Sequence, residues 1–259
     1  MMRIAALQMQ AVCGNVDANL ARIEQAAMDA AKAGADLLVV PELALTGYGA
    51  GEAITALAEP ANGSQISQLQ AISKANAIAI IAGFAERDGD NVYNSAAYVC
   101  GDAQPVIYRK SHLYGDYERA LFTPEKPASC IIQIAGLKLG ILICYDVEFP
   151  ENVRRLAQAG AQMVIVPTAL PAGPSGTFIA GHMIQVRAFE NQIFVAYVNH
   201  AGDDGRFSFA GLSRIAAPDG SLIAASTDAR EQLLFADINR HMFAASIENN
   251  PYLKDLALL

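Results

Sequence analysis

A chain of 259 residues, 53% hydrophobic and 17% charged, can bury a large core without covalent staples. Its formal net charge of −8 argues against a nucleic-acid binder, which needs a basic face to displace counterions. No apolar run approaches the roughly 20 residues of a membrane span, and the N-terminus lacks a signal-peptide pattern, so the expectation is a soluble cytoplasmic protein.

In chain order, residues 2–9 predict a buried strand. Leu20, Ile23, Ala27 and Ala30 recur at helical spacing over 17–33, and Gly34 fits a helix stop. DLLVVPE (36–42) reads as a short strand of the kind buried in an α/β sheet. A helix follows over 64–76 with Ser64 as its N-cap, then strands at 77–86, in VYNSAAYVC and in PVIYRK. After a loop over 111–129, IIQI and KLGILICYD pair through a turn at Ala135 and Gly136. A helix over 150–159, the strand MVIVP and a long helix over 176–191 come next. QIFVAYVN, FAGLSRIAA, SLIAAS and EQLLFADI are strands, and a short helix over 240–248 precedes the tail NPYLKDLALL. That tail carries apolar residues expected to pack across a subunit interface.

Strands alternating with helices in the first half indicate βα units, and the later hairpins make the sheets mixed. No linker divides the chain, so 1–259 reads as one domain. GADLLVVPELAL (34–45) resembles GAQMVIVPTALP (160–171), which fits a fold of two similar halves.

Four cysteines (Cys13, Cys100, Cys130 and Cys144) form no CxxC pair and no Cys/His cluster, so no metal is expected. Cys144 closes a predicted apolar strand just before a helix, where α/β sheets gather ligands and where a sharp turn can expose a nucleophile. A lone cysteine in an apolar strand is more often core filler, and a free thiol needs a base or a positive charge beside it to react. Glu42 directly follows VVP; buried without a partner, its carboxyl would be pushed up into the range of a general base. Lys110 ends VIYRK and could face a developing oxyanion, although a strand-end lysine is usually a surface charge. Glu118 says little alone. Asp146, Glu148 and Glu151 read as acids favoured at a helix N-terminus, with a substrate role open for Glu148. The glycines of GYGAG make no GxGxxG, and no cofactor is implied.

Taken together, PELALTGY (41–48), YRKSHLYGDYERALFTP (108–124), CYDVEFPE (144–151), RAFEN (187–191) and the opening RIAALQMQ resemble the nitrilase superfamily of carbon–nitrogen hydrolases. The resemblance implies a four-layer αββα sandwich with two mixed sheets, commonly paired as a homodimer or higher homo-oligomer. It implies a Glu–Lys–Cys triad, here Glu42, Lys110 and Cys144, with Glu118 as an additional active-site glutamate. His112 is expected to hold structure through hydrogen bonds. Tyr145, through its N–H, would help hold the oxyanion; Tyr48, Thr168 and Asn199 would line the pocket. The lysine and cysteine motifs look most like the short-chain amidase branch, which hydrolyses small aliphatic or amino-acid carboxamides. Tyr145 stands where carbamoyl-amine hydrolases and true nitrilases tend to carry tryptophan, and the chain has none. The competing readings are a carbamoyl-amine hydrolase or nitrilase with the same triad, a non-catalytic binding member, and an acyltransferase.

Overall fold

The computed structural model describes residues 1–258. In chain order the elements are β1 (Met2–Gln8), α1 (Val16–Lys32), β2 (Leu37–Val39), α2 (Glu52–Leu57), α3 (Ser64–Asn76), β3 (Ala79–Asp88), β4 (Asn91–Val99), β5 (Val106–Arg109) and α4 (Gly115–Leu121). Then come β6 (Ile131–Ile134), β7 (Leu137–Ile141), α5 (Pro150–Gln158), β8 (Met163–Pro167), α6 (Pro174–Phe178), α7 (Ile184–Asn191) and β9 (Phe194–Val198). The last are β10 (Arg214–Ala216), β11 (Leu222–Ala225), β12 (Gln232–Ile238), α8 (Ala244–Asn249) and α9 (Tyr252–Leu256).

The strands form two six-stranded sheets, ordered β12-β1-β2-β3-β4-β5 and β6-β7-β8-β9-β10-β11. Both follow one plan. An antiparallel edge pair leads into three parallel strands, and two further antiparallel pairs close the sheet. In each, helices carry the crossovers between the parallel strands: α1 and α3 in the first, α5 and α7 in the second. The resembling segments 34–45 and 160–171 fall on β2 and β8, which hold equivalent places in the two sheets. Their likeness therefore marks a doubled architecture.

Burial explains the layering. Strand residues alternate faces. In the first sheet Ile4, Ala6, Leu37, Val39 and Ile81 turn inward to meet the second sheet, while Ala5, Leu7, Leu38, Val40 and Ile80 turn outward. The outward set packs against Leu20, Ile23, Ala27 and Ala30 of α1 and Ile66, Leu69 and Ile72 of α3. Val153 and Leu156 of α5 and Ile184 and Ala188 of α7 join the core of the second sheet. The result is the expected αββα sandwich of two mixed sheets.

Several local expectations change. Gly63, not Ser64, precedes α3; the Glu59 carboxylate caps it instead, accepting from the Gln65 N–H at 2.8 Å. The loop over 111–129 contains α4, and the long helix over 176–191 is α6 and α7 joined through a π turn at Ile179–Met183. The segment FAGLSRIAA is strand only at Arg214–Ala216. In the tail, Tyr252 meets Phe189 edge-on with ring centroids 5.7 Å apart, while Leu258 stays exposed. Among the described residues no helix is long and apolar enough to cross a membrane.

Candidate active site

Each sheet delivers part of one site. Strand β2 ends at Val39, and the chain turns through Pro41 and Glu42 with Leu43 at φ 49°. Gly83 of β3 lets this turn lie flat on the strand: a Cβ there would stand 2.6 Å from the Pro41 carbonyl oxygen and closer still to the Leu43 nitrogen. His200, just past β9, donates from Nε2 to the Glu42 carbonyl at 2.6 Å. Lys110 directly follows β5, and its N–H donates to the Asn94 carbonyl at 2.8 Å.

Strand β7 ends at Ile141, so Cys144 is not a strand residue but opens a 3₁₀ turn, Cys144–Glu148, at φ 44°. A non-glycine residue there is disfavoured and persists only where its surroundings hold it. Asp146 holds this turn. Fully buried, it accepts from Ser111 Oγ at 2.7 Å, the His112 N–H at 2.9 Å and Tyr108 Oη at 2.9 Å, and pairs with His112 Nδ1 at 2.9 Å. It therefore fastens the lysine loop to the cysteine turn, rather than serving as an acid favoured by a helix dipole. Arg187 of α7 binds the turn from behind, donating from Nε to the Val147 carbonyl at 2.9 Å and from Nη2 to the Glu148 carbonyl at 2.7 Å. His112 also stacks on Phe149 at 4.0 Å, and its bonds to Asp146 are of the structural hydrogen-bonding kind expected of it.

Glu42, Lys110 and Glu118 are buried together. Lys110 Nζ lies 2.6 Å from Glu42 Oε1 and 2.7 Å from Glu118 Oε1. Asn94 Nδ2 also donates to Glu42 Oε1, at 2.7 Å. Glu118 Oε1 accepts from Tyr48 Oη at 2.9 Å, and its Oε2 from the Tyr114 N–H at 2.8 Å. Every carboxylate oxygen of the pair is thus engaged except one: Glu42 Oε2 is buried with no hydrogen-bond partner.

Burial pushes the Glu42 carboxyl up to about 7 against the pull of Lys110, with Glu118 adding to the rise. Burial works against the Lys110 ammonium, but Glu118 and Glu42 outweigh it and hold it charged well above the usual lysine range. Burial, followed by the field of Glu42, pushes the Cys144 thiol up, so it rests protonated beside a carboxylate able to take its proton.

Tyr48 therefore anchors Glu118. Its ring also walls a cavity of about 280 Å³ with Tyr114, Tyr117, Ala169, Phe207 and Phe209 among its other linings. Tyr145 stands edge-on to Tyr114 and Phe149, and its N–H has no hydrogen-bond acceptor among the described residues. Thr168 is buried just past β8 with its Oγ1 unpartnered. Asn199 is placed differently from expectation. Its Oδ1 accepts from the N–H of Leu170 and of His200, both at 2.8 Å, and its Nδ2 donates to the Gly211 carbonyl at 2.7 Å and to the Leu170 carbonyl at 3.2 Å. The amide is spent on the chain. Asn94, Asp146 and His200 were not anticipated as supports; Arg187 lay in a flagged motif without a role. Among the described residues no group of three or more His, Cys, Asp or Glu could hold a metal ion.

A protonated thiol, a base with one free oxygen and a fixed ammonium meet the needs of acyl transfer through a thioester, which is the chemistry of cysteine-dependent hydrolases. The carbon-nitrogen hydrolase family model matches residues 3–247, and the chain belongs to that family, within the nitrilase superfamily. It is 43% identical to the "hydrolase in pqqF 5'region" of Pseudomonas protegens, with 98% of this chain and 88% of that protein covered. It is 35% identical to an (R)-stereoselective amidase of Pseudomonas sp, covering 100% and 92%. Among solved structures, an amidase of Nesterenkonia sp. AN1, in a cysteine-to-alanine variant bound to butyramide, superposes with a TM-score of 0.87 at 33% identity, covering 98% and 93%. Another variant of that amidase, with a TM-score of 0.86 at 33% identity and covering 96% and 99%, carries acrylamide added at its active-site cysteine.

Proposed function

We propose that the protein is an amidase that hydrolyses small carboxamides to carboxylic acid and ammonia through a thioester on Cys144. The observation that carries this is the division of labour within Glu42. Oε1 is pinned by Lys110 and Asn94, and Oε2 is buried and free.

Glu42 Oε2 takes the thiol proton as Sγ attacks the amide carbon. The oxyanion is held by Lys110 Nζ and the Tyr145 N–H. The protonated Glu42 gives its proton to the amide nitrogen, the C–N bond breaks, and ammonia leaves. Water then attacks the thioester; Glu42 takes its proton and returns it to the sulfur as the acid departs. Glu118 keeps Lys110 charged and in place. The apolar cavity of about 280 Å³ walled by Tyr48, whose hydroxyl bonds Glu118, is the space we assign to the acyl group.

The test is ammonia release from small carboxamides, N-carbamoyl amino acids and nitriles, with Cys144→Ala in parallel. Release from carboxamides that is lost in the variant supports the reading. Release only from carbamoyl compounds or nitriles would move the same triad to another branch, and no release at all would favour a non-catalytic member. We further propose that the enzyme works as a cytoplasmic homodimer. The face around Tyr252, Leu256 and exposed Leu258 offers apolar surface for the contact, and sedimentation showing a monomer would refute it.

A further inference from the structure

The cavity assigned to the acyl group is built mostly of rings. Of its nine lining residues five are aromatic, Tyr48, Tyr114, Tyr117, Phe207 and Phe209, and only Asp116 is charged. The Asp116 carboxylate is fully exposed beside Arg119, so the wall itself stays apolar. Tyr48 gives its hydroxyl to Glu118 at 2.9 Å, and Tyr117 gives its own to the Tyr48 carbonyl at 2.6 Å. The Tyr114 phenol is the one hydroxyl of the wall not bonded within the described residues. A charged or strongly polar acyl group would lose its water here and find little in return. A cavity of roughly 150 Å³ suffices for benzene, and this one measures about 280 Å³.

The rings come from both halves of the chain. Phe207 and Phe209 belong to a turn after β9 that an antiparallel bridge between Asp203 and Ser208 closes. Asp204 fixes this turn, its carboxylate accepting from the Gly49 N–H and from the Phe207 N–H, both at 2.8 Å. Phe207 then meets Tyr48 at 5.4 Å and Tyr117 at 5.1 Å between centroids, at 64° and 69°, and Phe209 meets Tyr48 at 6.2 Å and 83°. Tyr114 stands apart from this cluster: its ring contact is with Tyr145, 5.2 Å away, and it is 49% exposed. The same residues adjoin the reacting centre. Tyr48 Oη and the Tyr114 N–H both bond Glu118, and Tyr145 directly follows Cys144.

We propose that this cavity selects an aromatic acyl group, so that the preferred substrates are arylalkyl carboxamides of the phenylacetamide kind, with Tyr114 and Phe207 as specificity-determining residues. The inference rests on the amidase reading above. A substrate ring entering between Tyr114 and the cluster of Tyr48, Phe207 and Phe209 meets tilted ring edges and faces. It gains edge-to-face contacts beyond the burial of apolar surface, which a saturated group of the same outline does not.

The test compares phenylacetamide with cyclohexylacetamide, which has a similar outline without the π system, and with acetamide, which has no ring. Phenylacetamide should exceed cyclohexylacetamide in kcat/KM by about two- to tenfold, the worth of such ring pairs, and should exceed acetamide by more. Phe207→Leu and Tyr114→Leu, the latter at a half-exposed position outside the core, should each draw the first ratio toward one. A ratio at or below one in the intact enzyme, turnover of acetamide alone, or a ratio that neither variant lowers overturns the proposal. If no amide releases ammonia, the amidase reading fails separately. Calorimetry of the two ring amides on Cys144→Ala, with and without Tyr114→Leu, then decides the cavity: tighter binding of phenylacetamide that the second substitution weakens supports it, and equal affinity for the two overturns it.

Discussion

In the proposed reaction the Glu42 carboxyl sets the working pH range, and its burial, which pushes it up to about 7, gives the sign. Glu42 acts as base only when ionised, so kcat/KM should rise with pH through about 7 and level off above. At pH 5, two units below, only about one-hundredth of the base is ionised, and activity should stand near about one-hundredth of the plateau. The thiol adds no acidic limb, because burial keeps it protonated across this range. The apparent value belongs to the coupled group of Glu42, Lys110 and Cys144 rather than to one residue. Glu42→Gln keeps an oxygen for Lys110 and Asn94 but cannot take a proton. It should lower kcat by about 10²- to 10⁴-fold, the usual worth of a positioned base, and abolish the step near 7. Initial rates of ammonia release across pH 5 to 8.5 would show both effects, and iodoacetamide alkylation of Cys144 should slow in the variant. A flat profile over that range, or a variant with more than about a tenth of the activity, would refute the assignment of Glu42 as base.

Lys110→Met removes an oxyanion donor and leaves two buried carboxylates without their cation. It should cost about 10²- to 10³-fold in kcat and about 3–5 kcal/mol of stability, read by ammonia release and urea unfolding. Asp146→Ala frees the lysine loop from the cysteine turn; a loss of about 3 kcal/mol in urea unfolding is expected from the hydrogen bonds it receives. Gly83→Ala drives a methyl into the Glu42 turn, so kcat should fall together with a stability loss of about 1–3 kcal/mol.

The places of Glu42 and Cys144 just beyond apolar strands were legible, because parallel strands with helical crossovers bring such ends to one edge, whereas Lys110 follows β5, which joins the sheet by antiparallel pairing. What was hidden depends on partners distant in the chain. Asn94 looks like any polar residue within a strand, and only the antiparallel pairing of β4 with β3 brings it near Glu42. Asp146 carries the same local signature as a dipole-favoured acid, yet its partners lie at 108–112. Helix α4 escaped notice because GDYERAL is barely two turns long and shows no apolar periodicity, its fold being set by buried Glu118. Asn199 was placed correctly at a strand end, but residue type alone cannot tell an amide facing substrate from one that ties three chain segments together.

The doubled architecture explains why the site needs both halves. Register equates Ile4 with Leu139 and Leu37 with Met163, so Glu42 in the first sheet corresponds to Thr168 in the second, and Met9 corresponds to Cys144. The reactive pair is therefore not two copies of one residue. The base comes from the second parallel strand of one half, the nucleophile from the first parallel strand of the other. The equivalent places hold an uncharged hydroxyl and a thioether. A second carboxylate at Thr168 would set another anion beside the thiol, in a site where the field of Glu42 already raises it. A strict repeat would thus silence the nucleophile. Divergence at these two strand ends, with Lys110 added on the first half alone, turns a repeated scaffold into a site with one base, one cation and one thiol.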